Sequence, residues 1–245
     1  KPAAAVVVAT LRALKLHGGG GTVKVGTPLP AGLTGPNQEA LVKGFANLEQ
    51  HIANVKAHGV PVVVAVNAFI DDPVAELEWV RERSREVGAV DAAVSTHWAD
   101  GGKGAEELAE AVVSAAAKTS TFRHLYDIAW PIKKKIQTIA TQMYGASAVS
   151  FDVQAEQDIA LAQQLGFDQL PICMAKTPLS LSHDPALKGR PSGFTLPIKE
   201  VRILAGAGFL TAVCSGIQLM PGLPKRPAGE RIGIDPGTGE IVGLS

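Results

Sequence analysis

Two aromatic residues of this 245-residue chain sit where a ligand ring could be held. Phe69 follows the apolar run Val60–Val66, and Trp98 follows Ala89–Ser95. Both runs read as strands joined by one helix, so the two rings should emerge on one rim of a parallel sheet, outside its carboxyl ends, where ligands of such sheets bind. Adjacent strands lie about 4.8 Å apart. A flat ring held between two aromatic planes needs about 7 Å, at roughly 3.5 Å per contact. Side chains leaning slightly apart reach that spacing. The pair is therefore a candidate clamp for a flat heterocycle, worth on the order of 1–3 kcal/mol per stacked face by analogy with base stacking. The plainer alternative is that each aromatic is only a lid on the core.

Charged and glycine-rich segments offer further chemistry. Arg12, Lys15 and His17 follow the first strand. Arg12 has the fork to take a carboxylate or phosphate, whereas a solvated helix face is the alternative. His97 is a candidate anion contact or acid–base group beside Trp98. Gly18–Gly21 has the composition of an anion cradle or of a simple turn, and no GxxxxGK[ST] occurs in the chain. Gly101–Gly104 opens a helix whose N-terminus suits an anion or is ordinary helix entry. Lys133–Lys135 reads as a wet helix face. Lys225 and Arg226 lie in a proline-flanked loop and could touch an anion or a neighbouring domain. The two cysteines, Cys173 and Cys214, show no zinc spacing and read as two buried thiols in a reduced compartment. No metal site is expected.

The elements that would position these groups alternate. Ala3–Ala9, Val60–Val66 and Ala89–Ser95 read as strands buried in a parallel sheet. Leu41–His58 reads as a helix from its apolar spacing. Asp72 reads as an N-cap with Pro73 at the first helical position, opening a helix through Val87. A further helix runs to about Lys118. Beyond a boundary near residue 120 come helices over Ile132–Met143 and Asp152–Leu165. Strands follow at Leu170–Ala175, Thr195–Leu204 and Phe209–Cys214, with a hairpin around Asp235–Gly239. The expected fold class is α/β: a parallel sheet layer over residues 1–119, then a smaller α+β domain over residues 120–245.

Composition narrows the function. The chain is 46% hydrophobic and 19% charged, which excludes a disordered, solvating segment. Its 23 basic and 23 acidic side chains cancel, which argues against a nucleic-acid-binding surface. The longest apolar runs, Ala3–Thr10 and Val60–Ile70, are shorter than the roughly 18–20 residues that span a bilayer. No membrane segment is expected. The chain opens on Lys1 and enters an apolar run at once, as expected either if something was removed or if this is the back part of a longer protein.

The run V-A-T-L-R-A-L-K-L-H-G-G (Val8–Gly19) resembles a signature segment of the formate–tetrahydrofolate ligase family, the 10-formyltetrahydrofolate synthetases. The resemblance continues through V-P-V-V-V-A-V-N-A-F (Val60–Phe69), T-H-W-A-D-G-G-K-G (Thr96–Gly104), L-P-I-C-M-A-K-T (Leu170–Thr177) and M-P-G-L-P-K-R-P (Met220–Pro227). L-S-L-S-H (Leu179–His183) looks more like the synthetase part of eukaryotic-type one-carbon enzymes. The chain departs from the family at Leu11 (usually Ile or Val), at Ile70 (Pro in many bacterial members) and at Ser245 (usually an aromatic). Ile70 puts the edge of the nucleotide or folate pocket in doubt.

The resemblance implies an ATP-dependent ligase that joins formate to tetrahydrofolate through formyl phosphate. It implies folate binding at Phe69 and Trp98, with adenine near Asn67 and Val94. Arg12 and His97 remain candidate anion contacts. ATP (with Mg) and tetrahydrofolate enter as substrates, with no tightly bound cofactor. The implied sheet is the C-terminal half of a P-loop-NTPase-like domain. The phosphate-handling residues are expected in an N-terminal P-loop segment of the same enzyme, so this part alone should be inactive. A homo-oligomer in the cytoplasm is expected, or in the mitochondrion if the source is eukaryotic. The other readings are a catalytically silent folate-binding or assembly module, and an unrelated α/β domain that binds a nucleotide-like heterocycle.

Overall fold

The computed structural model describes residues 1–24, 26–217 and 224–243. Of the positions named above, Met220–Pro227 thus lies partly, and Ser245 wholly, outside the described residues. The first sheet has three parallel strands in the order β1 (Ala5–Ala9), β2 (Val62–Asn67), β3 (Asp91–Ser95). β2 is central, and Val62–Val66 are almost fully buried. An unbroken apolar run suits that position, because both faces of the strand are covered. β1 alternates instead: Ala9 faces the core while Val6 and Val8 are exposed.

Helix α1 (Leu11–His17) follows β1 at once, because Thr10 caps it: its Oγ1 accepts the Ala13 N–H at 3.2 Å. A short α2 (Ala31–Thr34) precedes α3 (Gln38–Ala57), which is capped by Asn37 Oδ1 on the Ala40 N–H at 3.1 Å. This cap starts α3 three residues before the predicted Leu41, since the polar first turn carries no apolar period. α3 packs against α1 at very short range. A Cβ on Gly18 would lie 1.7 Å from the Ala40 carbonyl oxygen, and one on Gly44 would lie 1.7 Å from that of Leu14. The glycines after α1 thus serve helix contact at Gly18.

α4 (Val74–Glu86) connects β2 to β3. Its N-terminus corrects the expected Asp72 cap: no side chain caps it. Asp72 Oδ2 instead accepts the Phe69 N–H at 2.9 Å, closing the turn before the helix. After β3 come a single-turn α5 (His97–Asp100), a 3-10 turn over Gly101–Ala105, and α6 (Glu106–Ala116). α6 covers the far face of the sheet through Ala111 and Ala115 on Val63. No helix among the described residues is long and apolar enough to cross a membrane.

The second sheet is mixed, in the order β4 (Ala148–Phe151), β6 (Thr195–Leu204), β7 (Phe209–Cys214), β5 (Ile172–Ala175). The inner pair is antiparallel and both outer pairs are parallel. α7 (Ile132–Tyr144) and α8 (Val153–Gln164) bury Ile132, Ile136 and Ile159 against it. β6 and β7 have the predicted bounds. β4 escapes a sequence reading because four residues between two helices are too few to show a period of two. The final hairpin pairs β8 (Gly233–Ile234) with β9 (Ile241–Val242). In its turn, Asp235 Oδ1 accepts the N–H groups of Gly237 and Thr238, which hold that carboxyl below its usual range.

Two further expectations change. Lys133–Lys135 is not a uniformly wet face: Lys135 is fully buried and donates to the Asp168 and Leu170 carbonyls at 2.7 and 3.0 Å. Only one cysteine is a buried thiol. Burial pushes the Cys214 thiol up to about 11, whereas Cys173 is exposed.

Candidate functional site

The carboxyl ends of β1, β2 and β3 form one rim. Asn67 at the end of β2 stands in register with Ser95 at the end of β3, and the Ala68 N–H donates to the Ser95 carbonyl at 3.0 Å. Phe69 and Trp98 therefore leave adjacent strands from matched positions, two and three residues further on. Trp98 is 68% exposed although it is a large aromatic. Ile70, beside Phe69, is 79% exposed.

Each aromatic is held by its own local structure. The Thr96–Gly104 loop closes on itself: the Thr96 N–H donates to the Gly104 carbonyl at 2.9 Å, and Thr96 Oγ1 donates to Asp100 Oδ2 at 2.7 Å. A Cβ on Gly104 would stand 2.6 Å from the Thr96 carbonyl carbon, so glycine is required for the closure. This loop carries α5 and, on it, His97 and Trp98. His97 is exposed, with Nδ1 at 2.9 Å from Ser95 Oγ. The Ser95 hydroxyl thus ties the imidazole to the end of β3.

Phe69 is held differently. Asp72 fixes its backbone, and the guanidinium carbon of Arg12 lies 4.0 Å from its ring centroid. Arg12 was expected as an anion contact, and the structure brings it to the same rim as Phe69. Asn67 is half-buried at the rim, while Val94, also half-buried, packs against the core beneath.

The other basic residues of α1 are not a solvated face. Lys15 is fully buried, with Nζ at 2.6 Å from Glu76 Oε2 and 2.8 Å from the Gly35 carbonyl. Glu76 Oε1 accepts the Asn37 N–H at 2.6 Å. His17 Nδ1 accepts the Gly189 N–H at 3.0 Å, which joins α1 to the loop before β6. Burial, then the positive charge of Lys188, then His51 hold the His17 imidazole below its ordinary 6.5. Sequence reasoning missed Glu76 as the partner of Lys15, since an acid in the first turn of a helix is read as complementing the helix dipole, and it read Asp72 as a cap. Among the described residues, no group of three or more His, Cys, Asp or Glu side chains gathers as metal ligands would.

In chemical terms the rim offers two aromatic faces, a guanidinium, an imidazole and an amide. Such a set has the chemistry to stack against and orient a flat ring. The family model described as formate–tetrahydrofolate ligase matches residues 1–245. The chain is similar to the human "C-1-tetrahydrofolate synthase, cytoplasmic", at 49% identity over 99% of this chain and 26% of that protein. It is also similar to the formate–tetrahydrofolate ligases of Herpetosiphon aurantiacus and Desulforamulus reducens, at 48% identity over the whole chain and 43% of each relative. The chain spans about a quarter of the length of the first of these relatives and less than half of the other two. It belongs to the formate–tetrahydrofolate ligase family.

Proposed function

We propose that this chain supplies the folate-binding and adenine-flanking part of an ATP-dependent ligase that joins formate to tetrahydrofolate to give 10-formyltetrahydrofolate. In that reaction a formate oxygen attacks the γ-phosphorus of ATP, and ADP leaves. N10 of tetrahydrofolate then attacks the formyl carbon of the resulting formyl phosphate. Phosphate departs, and N10 gives up its proton. The observation that carries the reading is the matched emergence of Phe69 and Trp98 past neighbouring strands in a chain of this family.

Each residue has a physical part in this reading. Phe69 and Trp98 stack on the pterin ring. Asn67 and Val94 flank the adenine, and His97, tied to Ser95, stands near the anionic groups. The three strands form half of a P-loop-like sheet over residues 1–119, with residues 120–245 as a second domain. The chain contains no GxxxxGK[ST], so the triphosphate, with its Mg, falls to an N-terminal segment of a longer enzyme. That enzyme acts as a homo-oligomer in the cytoplasm.

Titration with tetrahydrofolate tests the clamp. Phe69→Ala and Trp98→Ala should each weaken binding by about 1–3 kcal/mol. If neither loses about 1 kcal/mol, the clamp is wrong. A catalytically silent folate-binding or assembly module is the second reading, since the same rim would serve it. Joining this chain to the P-loop segment of a relative and assaying ATP-dependent formylation separates the two. The chain alone should show no turnover.

A further inference from the structure

Two side chains converge on Phe69, Arg12 from α1 and Asp72 from the turn before α4. α1 presents Arg12 and Lys15 three residues apart, and therefore on one face. Lys15 is fully buried and bound to Glu76 of α4 at 2.6 Å. This ion pair sets α1 against the start of α4. One turn nearer the N-terminus of α1, the Arg12 guanidinium lies over the Phe69 ring, 4.0 Å from its centroid. Asp72 secures the backbone of the same residue through its N–H at 2.9 Å.

Arg12 is not occupied otherwise. Among the described residues it has no carboxylate partner, and its Nε is buried with no acceptor. A guanidinium poised for a carboxylate or phosphate presents its N–H fork openly. Here part of the fork is sealed and the group is committed to the ring.

We infer that Arg12 is a positioning residue: its guanidinium covers one face of Phe69, so that the ring receives a flat heterocycle on its other face only. This rests on the reading of Phe69 as a folate-stacking ring and adds a preference to it. A cation on one face draws the π electrons toward itself. The opposite face then favours a neutral, electron-rich ring, such as a reduced aminopterin, over a cationic one. Arg12, Phe69, pterin and Trp98 would stand as four layers, with the first held by the Lys15–Glu76 pair.

Binding titrations of the chain with two probes test this. One probe is tetrahydrofolate. The other is 6-methyltetrahydropterin, which has the same ring system without the anionic tail. Arg12→Leu should weaken both by the same factor, roughly 2- to 5-fold, and Arg12→Lys should restore part of that loss. In a Phe69→Ala background, Arg12→Leu should add nothing. The inference is overturned if Arg12→Leu weakens tetrahydrofolate alone and still does so without Phe69, because Arg12 would then be reading the tail. It is equally overturned if Arg12→Leu changes neither probe while Phe69→Ala weakens both; the clamp reading then survives. If Phe69→Ala and Trp98→Ala leave both probes unchanged, the clamp reading falls and this inference falls with it.

Discussion

Each sheet unit buries one lysine completely, and the two are satisfied in different ways. Lys15, beside the first sheet, meets a carboxylate: Glu76 at 2.6 Å, with the Gly35 carbonyl at 2.8 Å. Lys135, beside the second, meets only the carbonyls of Asp168 and Leu170 at 2.7 and 3.0 Å. The first arrangement balances a charge with a charge and ties three segments together, α1, α4 and the turn before α3. The second is a hydrogen-bonded plug for the loop that enters β5. Burial pushes the Lys135 ammonium below its usual range, and the more distant Asp168 and Asp127 carboxylates pull it back. Removing one partner of a buried pair strands the other charge, whereas removing a plug strands only neutral acceptors. The unit that carries the candidate site is thus the one held by the more demanding interaction.

The difference can be broken most directly at Lys15. Lys15→Met leaves the Glu76 carboxylate buried alone and should cost about 3–5 kcal/mol in chemical unfolding. Adding Glu76→Leu should recover part of that loss, since no charge is then orphaned, while the Asn37 N–H and the Gly35 carbonyl still lose their partners. Lys135→Met should cost about 1–3 kcal/mol, because two carbonyls lose their donor and no charge is stranded. If the two single variants cost the same, Glu76 is no special partner and the contrast fails.

A smaller effect lies at the contact between the units. His17 accepts the Gly189 N–H only while Nδ1 is unprotonated, and burial holds its folded value below 6.5. The unfolded chain therefore binds the proton more readily. Stability from this contact is complete above about pH 6.5 and declines as pH falls below it. The melting temperature of the parent chain should be lower at pH 5.5 than at pH 8, and the difference should be smaller in His17→Gln. An equal loss in both would remove His17 from the account.

Much of this was legible in the sequence. The apolar runs of β2 and β7 mark buried strands because their side chains have only the core to meet, whereas β6 alternates between buried and exposed positions. Half-buried Phe69 and exposed Trp98 could be placed on one rim because consecutive parallel strands end on the same edge. What could not be read was pairing at a distance. Nothing in R-A-L-K-L-H says that Lys15 will meet an acid from a helix 61 positions later, or that Arg12 will lie on a ring. A basic cluster looks solvated until tertiary structure supplies a partner. Asp72 misled in another way: Asp-Pro before a helix has the chemistry of a cap, yet its carboxylate turns back to Phe69.

The reciprocal contact of Gly18 and Gly44 has a consequence for natural variation. Every single-nucleotide missense change in a glycine codon adds at least one carbon. At either of these positions, that carbon would meet a backbone carbonyl oxygen that cannot rotate away. Neither helix could yield alone, because α1 also carries Arg12 and His17 to contacts on other elements. Alleles altered at Gly18 or Gly44 should therefore be purged from populations even though neither residue touches a ligand. A clinical or environmental variant at these two codons is better read as a displaced helix than as a damaged binding site.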